Sequence, residues 1–143
     1  MYEYNVIDKL VKKIKSKIKG LYFVGSYKRK EPQIGDLDIV TIKDKKGIIN
    51  KFKELFPDIQ IIKNGKKYVQ LKLDNLNIDI WFGIDNVELK SMKVIRALDL
   101  GHNIGYRKIA SKLGYKLNDY GLFKGQENLP FKSEKELRKL LLL

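Results

Sequence analysis

The chain has 143 residues, enough for one ordinary domain or two very small ones, and its hydrophobic content of 43% favours a folded protein. It has no cysteine and a single histidine, which excludes disulfide scaffolds, thiolate metal sites and multi-histidine sites. The formal net charge of +13 favours a polyanionic partner such as nucleic acid. Because we find no signal peptide and no apolar run of about eighteen residues, we expect a soluble intracellular protein without a membrane partner.

The first half of the chain predicts helices alternating with strands. An apolar stripe at helical spacing predicts an amphipathic helix over residues 4–19, and a buried strand over residues 21–24 ends at Gly25. A short helix or turn should reach residue 30, followed by a strand at 36–42 and a helix at 47–56. Three further strands are predicted at 59–63, 67–73 and 76–82, with Asn64 and Gly65 forming a hairpin turn between the first two.

The pattern changes after residue 83 and becomes mainly helical. Helices are predicted at 87–98 and 102–113, a small hairpin at 115–117 and 121–123, and a last helix at 133–142. Ser133 followed three residues later by Glu136 fits a capping box. We therefore predict an α+β protein, with a mixed sheet and flanking helices in residues 1–85 and a small helical module with a short hairpin in residues 86–143.

Basic residues are concentrated near the start of the chain. Residues 9–30 contain nine basic residues and no acidic residue. Four lysines of the first predicted helix are therefore candidate phosphate contacts, namely Lys12, Lys13, Lys15 and Lys17. Two other interpretations remain open, a solvated helix face in a lysine-rich protein and attachment to an anionic membrane surface.

Carboxylates interrupt two otherwise hydrophobic strands. Asp36 and Asp38 are two residues apart on one strand, so their side chains should stand on the same side of a sheet, and Asp79 lies in a later strand. Three carboxylates that converge in a low-dielectric environment repel one another and need a cation. Mg²⁺ prefers oxygen ligands and phosphate oxygens. We therefore predict a nucleotidyl-transfer site in which two Mg²⁺ ions bridge the phosphates and the attacking hydroxyl.

The residues between the strands suit phosphate binding. Gly25 permits close backbone approach, Ser26 adds a hydroxyl donor, and Arg29 offers a planar charged fork for pyrophosphate. Each feature alone is common, since an Asp-x-Asp pair often marks a solvated edge and Asp79 could be a structural carboxylate. Their occurrence together and in this order favours the site.

Two motifs resemble those of a known family. The segments GSYKRK at residues 25–30 and GDLDIV at 35–40 are similar to the nucleotidyltransferase signature of family X DNA polymerases, the DNA polymerase beta family. The second half is similar to the thumb motif of bacterial and viral members, in HNI at 102–104, Arg107, GYKLNDYGLF at 114–123, LP at 129–130 and SEKEL at 133–137. The resemblance implies a nucleotidyltransferase palm followed by a thumb subdomain.

The resemblance also implies roles for individual residues. It makes Asp36, Asp38 and Asp79 the ligands of two Mg²⁺ ions, for which Mn²⁺ can substitute, and it places the nucleotide against Gly25, Ser26, Arg29 and Gly35. Asn103 would contact the base and sugar edge of the incoming nucleotide, and Arg107 the templating strand. The simpler alternatives are a helix-terminus cap for Asn103 and an ordinary exposed arginine for Arg107. The implied partners are gapped or primer-template DNA and a dNTP, bound by a monomer.

The chain also departs from the family pattern. Where members carry an aromatic pair followed by a Thr-Gly turn, residues 95–98 are Ile-Arg-Ala-Leu. About twenty residues precede the catalytic strand, too few for the lyase and fingers domains of the family. The chain therefore resembles the minimal palm-plus-thumb enzymes that some large DNA viruses encode, with the basic first helix replacing part of the DNA grip.

Three functions follow, in order of preference. The first is a template-directed DNA polymerase that fills short gaps in DNA repair. The second is a nucleotidyltransferase on the same palm that works without a template, or on RNA or a small molecule. The third is a catalytically inactive nucleic-acid-binding module.

Overall fold

A computed structural model describes all 143 residues, which form two compact units, Met1–Phe82 and Gly83–Leu143. The predicted α+β class, with a mixed sheet first and a helical module second, is confirmed. The division between the units falls three residues before the predicted one. None of the helices combines the length and the apolar character needed to cross a membrane.

The first unit is built on a five-stranded mixed sheet. Its elements are β1 (Tyr2–Glu3), α1 (Tyr4–Lys17), β2 (Tyr22–Val24), α2 (Gly25–Lys28), β3 (Gln33–Ile34), β4 (Asp36–Thr41), α3 (Lys45–Leu55), β5 (Gln60–Asn64), β6 (Tyr68–Leu73) and β7 (Leu76–Phe82). The strand order is β2-β4-β7-β6-β5, in which β4 and β7 run parallel and the other pairs are antiparallel. The short strands β1 and β3, which the sequence pattern did not predict, pair with each other in a separate two-stranded sheet.

One face of the large sheet forms the core of this unit. Alternate strand residues such as Leu37, Ile39, Ile78 and Ile80 are fully buried and share one cluster with the apolar stripes of α1 and α3. Because side chains alternate across a strand, the residues between them, including the three aspartates, belong to the opposite face. A one-residue slip of β4 would turn Asp36 and Asp38 into this apolar core, so the core packing fixes the register of the site.

The hairpin turns of the sheet differ from the predicted one. Residues 65–67 form the connection between β5 and β6, and the N–H of Gly65 donates to the carbonyl of Tyr68 at 2.8 Å. The two-residue turn lies instead between β6 and β7, where Asp74 adopts a φ of 53° and Leu73 pairs with Leu76. Asp tolerates this left-handed conformation, because its short side chain can hydrogen-bond locally.

The second unit combines three helices with a small antiparallel sheet. Its elements are α4 (Asn86–Ala97), α5 (Leu100–Lys112), β8 (Lys116–Asn118), β9 (Gly121–Lys124), β10 (Glu127–Asn128) and α6 (Glu134–Leu140). The predicted hairpin is present, and β10 adds a third strand that was not predicted. The predicted cap is confirmed, since the Ser133 hydroxyl accepts the N–H of Glu136 at 3.1 Å.

Candidate active site

The register of β4 and β7 places the three predicted carboxylates on one face of the sheet. Asp38 pairs directly with Asp79, and Asp36 pairs with Asn77. Neighbouring strands lie about 4.8 Å apart, so Asp38 and Asp79 are adjacent across the ladder, with Asp36 one pleat along β4. Asp79 is buried, Asp38 is half-buried and Asp36 is exposed. The three residues therefore form a row that runs from solvent into the sheet.

Two side chains of β6 hold one oxygen of Asp79. The Tyr68 hydroxyl donates to Asp79 Oδ1, and Gln70 Nε2 donates to the same oxygen at 3.0 Å. Gln70 pairs directly with Asp79 in the antiparallel ladder, and Tyr68 packs against Trp81 with the ring centroids 5.3 Å apart. These two residues were missed in the sequence analysis. The alternation of β6 could have indicated them, because it puts Tyr68 and Gln70 on the face that carries Asp79.

Glycine is required at position 25 for two reasons, its backbone conformation and the close approach of Asp38. It has a φ of +66°, a left-handed conformation that favours glycine. A Cβ at this position would overlap Asp38 Oδ2 and lie 2.9 Å from Asp38 Cγ. The close approach follows from the pairing of β2 with β4, in which Val24 is the partner of Asp38. The glycine therefore makes room for the carboxylate.

Charge repulsion is visible within the row of carboxylates. Although Asp36 is exposed as a residue, partial desolvation of its carboxyl group and the negative charge of Asp79 raise its pKa, and a hydrogen bond from Asn77 opposes this only in part. Burial and the bond to Asp79 likewise raise the pKa of Tyr68, so its hydroxyl stays protonated and donates. The cluster thus carries negative charge that a cation would relieve.

The donor set suits a hard divalent ion. Three carboxylates in register offer the oxygen ligands that Mg²⁺ prefers, and the residues named at the site include neither thiol nor imidazole. In this structure no three acidic or histidine side chains are placed to share one ion. Asp79 Oδ1 faces Tyr68 and Gln70 instead. The residues fit Mg²⁺ by chemistry and by register, and their assignment as metal ligands stays a prediction.

The predicted phosphate-binding residues lie around the turn that follows β2. Ser26 is in α2, where its carbonyl accepts the N–H of Glu31 at 3.1 Å. The Arg29 guanidinium is paired with Glu31, with both Nε and one terminal nitrogen 2.8 Å from Glu31 Oε2. A Cβ on Gly35 would meet nothing closer than 3.8 Å, so the structure gives no steric reason for glycine there. Arg29 would have to exchange Glu31 for a phosphate.

Asn103 and Arg107 form a network within the second unit. Arg107 Nε donates to Asn103 Oδ1 at 2.6 Å, and a terminal nitrogen of Arg107 donates to Asp119 Oδ1 at 2.9 Å. Asn103 Nδ2 donates to the carbonyl of Ile95 at 3.3 Å, in the last turn of α4. Arg96 also pairs with Asp119 Oδ1, at 3.2 Å. The expectation of an ordinary exposed arginine is therefore wrong for Arg107, because Asp119 and Asn103 hold its side chain.

The four lysines of α1 lie on the helix that covers the core face of the sheet, opposite to the face that carries the aspartates. All four side chains are exposed. Lys12 pairs with Asp8 at 3.0 Å, and the ammonium groups of Lys13 and Lys15 lie over the rings of Phe56 and Phe23. Any nucleic acid that they contact is bound away from the carboxylate row.

Two models of one family together match residues 2–143. Residues 2–103 match the model of the DNA polymerase beta palm, and residues 100–143 match that of the DNA polymerase beta thumb. The chain belongs to the DNA polymerase beta family, family X of the DNA polymerases. Family X polymerases use divalent metal ions, in agreement with the donor set described above.

Individual relatives of this family X chain agree with that assignment. It is 30% identical over 154 residues to the "Repair DNA polymerase X" of two isolates of African swine fever virus, an alignment that covers 98% of this chain and 83% of the viral protein. The fold is that of Leishmania infantum polymerase beta, with a TM-score of 0.70 and 17% identity to the ternary P/T complex, over 98% of this chain and 71% of that one. The ternary gap complex of the same protein gives the same score, over 66% of its chain.

Proposed function

We propose that this family X protein is a template-directed DNA polymerase that fills short gaps during DNA repair. The observation that carries the proposal is the pairing of Asp38 with Asp79, which puts three aspartates on one sheet face of a polymerase palm. The primer 3′-hydroxyl attacks the α-phosphate of a bound dNTP in line. A P–O bond to the primer oxygen forms, the P–O bond to the leaving pyrophosphate breaks, and the hydroxyl proton passes to Asp79 or to a water molecule.

The three aspartates would have different roles in this reaction. Asp36 and Asp38 would hold two Mg²⁺ ions at the nucleotide phosphates. Asp79 would help to hold the ion that lies at the primer hydroxyl. Mn²⁺ can substitute for Mg²⁺. When bound, these ions neutralise developing charge and lower the pKa of the attacking hydroxyl. Asp79 is the most buried of the three carboxylates, so its charge acts on the hydroxyl with less screening by water.

The triphosphate would lie against the turn after β2. Gly25 lets the backbone approach closely, and the N–H groups at the start of α2 with the Ser26 hydroxyl would donate to phosphate oxygens. Arg29 would leave Glu31 and pair with the triphosphate, whose net negative charge is larger than that of one carboxylate. Gly35, just before the catalytic strand, stays a predicted nucleotide contact, and the protein would act as a monomer.

The decisive experiment is primer extension on gapped DNA with each dNTP and each NTP offered singly. We expect insertion of the dNTP complementary to the template base, dependence on Mg²⁺, and little insertion of NTPs. The Asp38→Asn variant serves as the inactive control for contaminating polymerase. Insertion that ignores the template base would favour the template-independent transferase, and no insertion by the wild type would favour a nucleic-acid-binding module.

Arg107→Ala is expected to lower correct, template-directed insertion by about tenfold to a hundredfold while DNA binding without dNTP changes little. The Arg107 guanidinium would contact the template strand when the new base pair forms, so its loss should affect nucleotide insertion more than DNA binding. Asn103→Ala should mainly weaken dNTP binding. Single-turnover insertion opposite each template base measures both effects.

The matched control for Arg107 is Lys108→Ala. Lys108 is exposed on the same helix and carries the same charge, so its loss reports the effect of net charge alone. Equal effects of the two substitutions, or no effect of Arg107→Ala, would contradict the proposed contact with the template.

Neutralising Lys12, Lys13, Lys15 and Lys17 to glutamine should flatten the dependence of log K on log[salt] for gapped DNA. Each lost contact with a duplex phosphate reduces the magnitude of this slope by about 0.9. A variant with glutamine at Lys51, Lys53, Lys63 and Lys66, all exposed elsewhere on the first unit, loses the same formal charge. If the α1 variant has the wild-type slope, α1 does not contact DNA.

A further inference from the structure

The hydrogen bonds to Asp79 suggest a role for β6 in the reaction. Tyr68 and Gln70 both donate to Oδ1, and neither of these bonds involves Oδ2. A carboxylate with two donors on one oxygen cannot rotate freely about its Cβ–Cγ bond, so the direction of the other oxygen is set by the sheet. Asp79 Oδ2 is thereby presented in a fixed orientation.

The donors are themselves held in place. The Tyr68 ring packs against Trp81, and the backbones of Gln70 and Asp79 are paired in the ladder. Both Tyr68 and Gln70 are half-buried, which limits the competition of water for Asp79 Oδ1. The arrangement is a rigid support built on strands, which positions a functional group more accurately than a loop.

We propose that Tyr68 and Gln70 are positioning residues that orient Asp79 toward the metal ion and the primer hydroxyl. This inference rests on the proposed function, in which Asp79 is a catalytic carboxylate. Partners that orient a metal ligand change metal affinity or activity by about tenfold to a hundredfold when they are removed. The alternative is that the Tyr68 bond competes with the metal for Asp79, in which case its removal would strengthen metal binding.

The test uses Tyr68→Phe and Gln70→Met. Phenylalanine keeps the ring that packs against Trp81, and methionine keeps the length of glutamine, so each removes a donor with little change in volume. Mn²⁺ alone is titrated into the full chain without DNA, followed by electron paramagnetic resonance. The fluorescence of Trp81, the single tryptophan, reports whether the packing around Tyr68 is preserved.

We expect each variant to bind Mn²⁺ about tenfold more weakly, and to lower kcat by about tenfold to a hundredfold with a nearly unchanged KM for dNTP. If Tyr68 and Gln70 had only a structural role, a variant with native Trp81 fluorescence would not show a lower kcat at an unchanged KM. Unchanged or tighter Mn²⁺ binding, or unchanged kcat, would overturn the inference.

Two controls separate this inference from the proposed function. Tyr27→Phe removes a similar hydroxyl–carboxylate bond, from Tyr27 to Asp8 at 2.7 Å, and should leave Mn²⁺ affinity unchanged. Asp79→Ala tests the function itself. If Asp79→Ala abolishes insertion and Tyr68→Phe changes nothing, only the positioning role fails, whereas an active Asp79→Ala variant removes the basis of both.

Discussion

Replacing Asp38 or Asp79 by alanine is expected to lower kcat/KM for nucleotide insertion by about a thousandfold or more, without unfolding the protein. A bound divalent ion contributes several kcal/mol of transition-state stabilisation, and each 1.36 kcal/mol is a factor of ten in rate. Both residues lie on the sheet face opposite to the main core of the first unit, so truncation leaves that core intact. Single-turnover insertion on gapped DNA with saturating Mg²⁺ measures the loss. Near wild-type insertion by either variant would show that the residue is not a metal ligand.

Removing a carboxylate from the site should stabilise the metal-free protein, although it lowers activity. Partial desolvation of its carboxyl group and the charge of Asp79 raise the pKa of Asp36, so ionisation of Asp36 costs free energy in the folded state. This cost is absent below the ordinary pKa and develops as the pH rises through the raised value. Asp36→Asn should therefore raise the Tm at neutral pH in EDTA, and the difference should vanish at about pH 3. A lower Tm at neutral pH would contradict the repulsion.

Gly25→Ala is the second substitution with a large expected effect, a loss of insertion comparable to that of Asp38→Ala. The new methyl group would overlap the Asp38 carboxylate, and a non-glycine residue at a φ of +66° is itself strained. Relief requires Asp38 to rotate away or the start of α2 to move, and either change disrupts the site. Insertion rate and Mn²⁺ affinity should both fall, while thermal unfolding remains cooperative.

Gly125→Ala is the matched control for this effect. Gly125 has a φ of +62°, and a Cβ there would meet nothing within 4 Å. The control therefore carries the same backbone strain, about 1 kcal/mol, without a collision. It should lower the Tm slightly and leave insertion unchanged. If both glycine variants lose insertion equally, the collision with Asp38 does not explain the loss.

Most helices and strands could be predicted, because their apolar periodicity matches the face that they bury. The strand of residues 76–82 was predicted with the bounds that it has, and Ser133 caps α6 as its spacing with Glu136 indicated. The common face of Asp36 and Asp38 followed from the two-residue period of a strand. That Asp79 joins them depends on the parallel pairing of β4 with β7, which no local pattern determines.

The partners of the charged residues could not be predicted. Glu31 beside Arg29 is near in sequence, yet the pairing depends on the turn that joins α2 to β3. Asp119 reaches Arg107 only because β8 packs against α5, and Tyr68 reaches Asp79 across a ladder whose register is set by the turn at Asp74. These contacts arise from tertiary structure, where side chains that are distant along the chain meet.

The parallel pairing of β4 with β7 also has a kinetic consequence. Its two strands are separated along the chain by α3 and the β5–β6 hairpin, so the pair closes a long loop and should form late in folding. Until it forms, Asp38 and Asp79 are independent exposed carboxylates with little affinity for a divalent ion. A divalent ion would then bind the native state almost exclusively, and would slow unfolding far more than it accelerates folding.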